Sequence, residues 1–289
     1  MEVASTDFWD HLSWPGNLTL LTAAELRQPD FEGVDGGTAA LPFTVTVKEQ
    51  EPPTKYWVKA LEGPEGKFAL IAEAIVSRLG KLTGAPVCET SFIDVSAYAG
   101  NMIAPGHDSQ YRLSHSVAYG SRDIPGATSH LVIRHRTVGD NAARLARDYV
   151  LYEWCLGGDD QWLTDPADRQ TYSHDHGRWL SQDAMRRIDV PTWSASTLDA
   201  ELETHRGNHN RETAIQPNDV REAAARAANI SRNDLVAVLD PIVTAWGDAG
   251  IVFPDGLSLE ATMRRVGHWL EIRRDIVTDR LSEYPEVGT

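Results

Sequence analysis

Cysteine is nearly missing from this chain. Two occur in 289 residues, Cys88 and Cys155, both in apolar surroundings and far from any CxxC spacing, so neither a disulfide framework nor a zinc finger is expected. Positive charge is scarce as well: 27 lysines and arginines against 42 aspartates and glutamates give a formal net charge of −15. Phosphate backbones and anionic membrane surfaces reward basic patches, which argues against direct nucleic-acid binding and against a role at the membrane surface. No run of 18 apolar residues occurs, and the opening MEVASTDFWDHLSW lacks a basic segment followed by an apolar one. Neither a membrane span nor a signal peptide is therefore expected, and a reducing cytoplasm is the simplest setting. What remains, 42% hydrophobic and 24% charged, is ordinary globular composition, long enough for one large domain or two lobes. An anionic substrate would need local positive charge or a metal.

The first thirty residues hold a short polar lead and one weak helical stretch at 22–26. Asp35-Gly36-Gly37-Thr38 then precedes the β-favouring run 42–47, and a second strand, KYWVKA, follows a Pro-Pro turn. Adjacent glycines let backbone N–H groups approach an anion, so Gly36, Gly37 and Thr38 suit a phosphate-covering loop. After a Gly-Pro-Glu-Gly break, Phe68, Ile71, Ala72, Ile75, Leu79 and Leu82 fall at helical spacing, which predicts a helix from about 67 to 83 ended by Gly84. Glu73 lies beside that apolar stripe. Lys59, in YWVK, faces inward or outward according to a strand phase that the sequence leaves open. Short strand candidates at 87–95, 116–118 and 131–133 come next. Strands before helices indicate an α+β arrangement.

A helix capped by Asp140 carries Leu145, Tyr149, Tyr152 and Leu156 on one face and stops at Gly157-Gly158. There the most informative stretch begins, GGDDQWLTDPADRQTYSHDHG. Trp162-Leu163 and Thr171-Tyr172 read as the arms of a β-hairpin, with the turn centred near Ala167-Asp168. Symmetric pairing about that centre sets Asp160 opposite Asp175, while a one-residue slip brings in Asp159. Either way two or three carboxylates gather at one end of a ribbon. Anions that close are relieved by a shared proton or a bound cation, and oxygen-only ligands suit Mg²⁺ held together with substrate phosphates. Residues 181–216 are polar and mixed. Helices dominate thereafter, with Asn218, Ser231 and Ser258 as caps and a long final apolar stripe from Leu259 to Leu281 read as core packing.

A glycine-rich turn, a strand lysine in YWVK, a helix glutamate in ALIAE and an acidic hairpin ending in SHDHG stand in a fixed order. Over residues 35 to 180 this resembles the HipA-like branch of the phosphatidylinositol-kinase-related atypical kinases. The resemblance implies a bilobal protein-kinase-like fold of the α+β class, with a mixed α/β N-lobe over residues 1–120 and a mainly helical C-lobe over 121–289. It implies an ATP-dependent phosphotransferase with ATP and Mg²⁺, acting on a hydroxyl of an unidentified acceptor, foremost a protein serine or threonine. Lys59 and Glu73 would be the pair that contacts the nucleotide phosphates, and Gly36, Gly37 and Thr38 would cover them. Asp159 or Asp160 would accept the hydroxyl proton, Asp159 matching slightly better by its distance from Gln161-Trp162. Asp175 would hold the metal, with Gly177 giving the backbone room and Gln161 offering an amide oxygen. The chain departs from the pattern where related kinases carry a metal-binding asparagine, since Thr164 or Asp165 stands there, and it lacks their Asp-Arg-His loop. Those departures fit a pseudokinase that binds nucleotide without transfer. A metal-dependent hydrolase built on His174, Asp175 and His176, with His107, His115, His130 or His135, is the weakest alternative, because strand alternation sets Asp175 on the face opposite its two neighbours.

Overall fold

The structure is a computed structural model, and it describes residues 7–28, 42–106, 109–158, 161–180, 192–207 and 215–285. The described chain begins with one helical turn, α1 (Asp7–Asp10). Strands β1 (Leu20–Arg27), β2 (Phe43–Val47), β3 (Thr54–Lys59), β4 (Thr90–Asp94) and, after a ribbon formed by β5 (Met102–Gly106) and β6 (Ser109–Arg112), β7 (Val117–Arg122) follow. β1–β4 and β7 close into a barrel in the order β1-β2-β3-β7-β4, with only the β1–β4 pair parallel. Helix α2 (Gly66–Thr83) interrupts them.

Residues 22–26 are thus strand, not the expected helix. Their backbone groups pair with β2 on one side and β4 on the other, and that ladder overrides a weak helical propensity. In β3, Tyr56 and Val58 are fully buried inside the barrel, so alternation sends Lys55, Trp57 and Lys59 to the other face. The phase that the sequence left open is settled by this packing. Gly120 of β7 has a packing reason: a Cβ there would lie 2.7 Å from Ile93 and 3.0 Å from Val58. Helix α2 buries its apolar stripe together with Glu73 and ends at Gly84, whose left-handed φ of 74° turns the chain.

A three-stranded sheet follows, made of β8 (Thr128–His130), β9 (Trp162–Thr164) and β10 (Thr171–Ser173) in the order β10-β9-β8. The strand expected at 131–133 ends at His130, and Leu131 and Val132 are exposed. Helix α3 (Asn141–Trp154) starts after Asp140, which makes no side-chain capping bond. Asn141 fastens that end instead: its amide donates to the carbonyls of His135 and Arg169 and accepts from Thr171 N, tying the helix to the hairpin.

Four further helices follow among the described residues: α4 (Ala195–Ala200), α5 (Pro217–Ala228), α6 (Arg232–Trp246) and α7 (Leu259–Ser282). Ser231 and Ser258 cap their helices as the sequence indicates. Asn218 does not, because α5 starts at Pro217, and Asn218 accepts a hydrogen bond from Arg221 instead. The result is a mixed α/β protein with seven helices and several sheets among the described residues. Among them no helix is long and apolar enough to cross a membrane.

The N-terminal segment crosses this helical layer before it enters the barrel. Trp9 lies against Gly267 of α7, where an added Cβ would come within 2.2 Å of the indole, and donates to Glu271 at 2.9 Å. Arg264 holds the Leu12 carbonyl, and the buried Asp240 carboxylate of α6 accepts from Gly16 N at 2.9 Å and Asn17 N at 2.7 Å.

Candidate active site

The hairpin pairs Thr171 with Thr164, Tyr172 with Leu163 and Ser173 with Trp162. This is the symmetric register, in which the pair sums extend to Asp160 and Asp175. Asp159 and Asp160, however, lie outside the described residues, as do Gly36, Gly37, Thr38 and His107. Past the last paired residue His174 N donates to the Gln161 carbonyl, and then Asp175 takes up the left-handed region at φ 58°, ψ 60°. Aspartate tolerates this better than most side chains. The turn ends strand alternation and swings the Asp175 carboxylate toward β3. A short 3₁₀ turn, His176–Arg178, follows and packs on α2. Gly177 sits at the contact, where a Cβ would lie 3.2 Å from the Ala69 methyl and 3.4 Å from its carbonyl oxygen.

These elements converge on Lys59. Its Nζ lies 2.5 Å from Asp175 Oδ1, 3.5 Å from Glu73 Oε2 and 3.6 Å from Glu65 Oε2. The other oxygen of Asp175 accepts from Gln161 Nε2 at 3.1 Å. The other oxygen of Glu73 lies 3.5 Å from His176 Nδ1, and His176 Nε2 meets the Ser173 hydroxyl at 3.0 Å. The structure therefore brings together Lys59, Glu73, Asp175 and Gln161, drawn from a barrel strand, a helix and the hairpin. Gln161 turns its amide nitrogen, not the oxygen expected for a metal, toward Asp175.

Burial opposes charge at every member, and proximity outweighs it at Lys59, Asp175 and Glu73. Burial would lower the Lys59 pKa, but Asp175, Glu73 and Glu65 together hold it well above its ordinary value. Burial would raise Asp175, yet the Lys59 ammonium and its hydrogen bond hold that carboxyl down at about 2. Glu73 is lowered too, burial being outweighed by Lys59 and His176. Glu65 goes the other way: burial, with Asp175 and Glu73 nearby, raises it despite Lys59. His174 is pushed down to about 4, mainly by burial. Three carboxylates face one ammonium, and Arg178 also acts on Glu65. Among the described residues no three His, Cys, Asp or Glu side chains are placed to hold a metal by themselves. Of the histidines weighed for a hydrolase, His115 meets Glu62, His130 the Thr128 hydroxyl and His176 the Ser173 hydroxyl.

Lys59, Glu73, Gln161 and Asp175 line a cavity of about 490 Å³, walled also by the outer face of β3, by β7, by the 123–129 linker and by the hairpin. Ligand pockets for small molecules and cofactors commonly fall in this range. Trp57, Lys55 and Asp123 lie along the same cavity and were missed from sequence, as was Glu65. Alternation with Lys59 in YWVK was the available signal for the first two. Nothing local in Gly-Pro-Glu-Gly marks Glu65.

No family model matches this chain, and no curated protein matches it. Among solved structures, a Helicobacter pylori proinflammatory kinase, CtkA, is similar with a TM-score of 0.49 and 11% identity, over 93% of this chain and 100% of that one. A likeness at that level identifies no family.

Proposed function

We propose that this protein is an ATP-dependent phosphotransferase that moves the γ-phosphate to an acceptor hydroxyl, with a protein serine or threonine as the acceptor class. One observation carries the reading: Lys59 is held between Glu73 and Asp175, from three separate elements, in the wall of a cavity large enough for a nucleotide. A fixed lysine of this kind neutralises phosphate oxygens, and Glu73, itself steadied by His176, keeps the ammonium pointed into the cavity. Asp175 is ionised at neutral pH and would hold Mg²⁺ with the nucleotide phosphates, Gln161 lying beside it. When bound, the metal supplies charge neutralisation on the transferring phosphoryl group. In the transfer, the acceptor oxygen forms a bond to the γ-phosphorus as the bond to the bridging oxygen breaks. The hydroxyl proton passes to Asp159 or Asp160, and ADP leaves. On this reading the barrel with α2 forms the N-lobe of a bilobal kinase-like fold, the boundary expected at residue 120 moving to the end of β7 at Arg122, and the chain beyond it forms the C-lobe.

A second reading, nucleotide binding without transfer, is favoured by the hairpin itself. Thr164 pairs with Thr171 with its hydroxyl buried, and Asp165 spends a carboxylate oxygen on Ala167 N within the turn. Neither lines the cavity as a metal-binding asparagine would. Incubation with labelled ATP and Mg²⁺ or Mn²⁺, comparing wild type with Asp175→Ala and scoring autophosphorylation and a generic protein substrate, separates the two. Metal-dependent incorporation lost in the variant supports the kinase. Thermal stabilisation by Mg-ATP without incorporation supports the binding module, and neither response removes both.

A further inference from the structure

One strip of this acidic chain carries no acid. Between Asp123 and Asp140 the sequence holds no aspartate or glutamate, yet it holds His130, Arg134, His135 and Arg136. Leu131 and Val132 in the same strip are 63% and 50% exposed, and Arg134 and His135 are exposed beside them. The strip is firmly seated. Ile133, between the two exposed pairs, is buried in the core, and the Arg134 carbonyl accepts from the Thr171 hydroxyl at 3.0 Å. The buried Asn141 amide nitrogen donates to the carbonyls of both His135 and Arg169, so the hairpin turn brings Arg169 beside the strip. His135 and Arg169 both occupy the left-handed region, at φ 54° and 60°, which non-glycine residues keep only where their surroundings impose it. Burial, then the charges of Arg134 and His135, lower the pKa of His130, so those side chains lie near its ring. Among the described residues Arg134 and Arg169 have no ion-pair partner, and Asp168, next to Arg169, accepts from Gln170 N instead.

We propose that residues 128–135, with Arg169, dock an extended acidic segment of the acceptor protein. The acceptor role rests on the phosphotransferase reading of the neighbouring cavity, whereas the docking does not. Strand β8 pairs with β9 alone, so among the described residues its outer edge bears no strand and is free to take a further one. Such a segment sets its apolar side chains on Leu131 and Val132 and its carboxylates on Arg134 and Arg169. With a formal net charge of −15 the rest of the surface repels an acidic chain, which leaves this strip as the place where it settles. The location suits an acceptor. Ser129 lines the cavity, and His130 pairs with Trp162, the residue after Gln161, so the strip leaves β8 at the end of the hairpin that carries Gln161 and Asp175. Two exposed apolar side chains at a strand edge fit a polypeptide and offer nothing to a phosphate backbone.

The test is fluorescence anisotropy at low salt with three labelled probes: a short peptide in which glutamates and leucines flank one serine, its counterpart with glutamine for glutamate, and oligouridylate. Wild type is compared with Arg134→Ala and with the double variant Leu131→Ser, Val132→Ser, all exposed positions. Wild type is expected to bind the glutamate peptide about five- to tenfold tighter than the glutamine peptide, a difference that shrinks as salt is raised. Arg134→Ala should lose about two- to fivefold for the glutamate peptide alone, and the double variant about tenfold for both peptides. Equal wild-type affinity for the two peptides, or binding of neither, overturns the proposal, and this arm needs no variant. Affinity unchanged in both variants overturns the location, and tighter binding of oligouridylate than of the glutamate peptide overturns the protein occupant. Addition of Mg-ATP, with phosphate on the serine scored, separates the two readings. The expected binding without transfer supports the docking surface and fails the phosphotransferase reading. Transfer with the same KM for the glutamate peptide in wild type and Arg134→Ala overturns the acceptor dock.

Discussion

Asp175→Asn removes one charge from a cluster in which three carboxylates share the Lys59 ammonium, and its cost follows from the geometry. Lys59 loses its nearest partner, at 2.5 Å, and keeps Glu73 at 3.5 Å and Glu65 at 3.6 Å. The Asp175 carboxyl stands at about 2 against an ordinary 3.8, a difference worth about 2 kcal/mol of native stability. Because the folded value lies below the unfolded one, that stabilisation is present above about pH 4 and is lost as the pH falls toward 2. Asparagine imitates the protonated acid. The variant should therefore be about 2 kcal/mol less stable at pH 7 and should not share the decline of wild type between about pH 4 and 2. Lys59→Met should cost more, about 3–5 kcal/mol, because it leaves buried carboxylates without the cation they share. The double variant should reveal a coupling of about 1–3 kcal/mol. Urea unfolding followed by far-ultraviolet circular dichroism, repeated across this pH range, measures all three quantities. Parallel pH profiles for wild type and Asp175→Asn, or a coupling under about 0.5 kcal/mol, would refute the reasoning.

Other perturbations address separate parts of the structure. His174 stands at about 4 against an ordinary 6.5, so it contributes stability above about pH 6.5 that is lost as the pH falls toward 4; His174→Gln should flatten the wild-type unfolding curve in that window by up to about 3 kcal/mol. Gly177→Val forces a branched side chain against Ala69 of α2 and should cost about 1–3 kcal/mol in urea unfolding, with loss of phosphotransfer greater than the stability change alone explains. Trp9→Ala empties a fully buried site on α7 and should lower stability by about 3–5 kcal/mol, measured the same way, without altering nucleotide affinity in the folded protein.

Helix α2 was legible almost to the residue because its apolar stripe and the glycines at both ends agree with one another. The hairpin was legible in outline, since turn chemistry placed its centre, but the choice between the symmetric register and a one-residue slip is made only by the paired strands. Strand β1 was not legible: it exists through pairing with β2 and β4, and partners distant in sequence leave no mark in a local window. Neither was the phase of Lys59, which depends on Tyr56 and Val58 entering the barrel. Lys59, Glu73 and Asp175 were named from their order along the chain. Their meeting point depends on the left-handed turn at Asp175, and no periodicity argument anticipates a positive φ at an aspartate. Glu65 entered the cluster through the same convergence.

The anchoring of the N-terminal segment has a consequence for synthesis. Trp9 finds its hydrogen-bond partner 262 residues further along, and Gly16 finds its own 224 residues on. On the ribosome the first part of the chain therefore emerges long before the helices that receive it. Until α6 and α7 are made, the indole and the backbone N–H groups of this segment have only water or a chaperone to meet, and β1 enters its barrel with one side of its approach unsecured. Completion of the barrel's first strand is thereby coupled to the arrival of α6 and α7, so a translation product arrested before residue 240 should be cleared or aggregate rather than accumulate as a folded fragment.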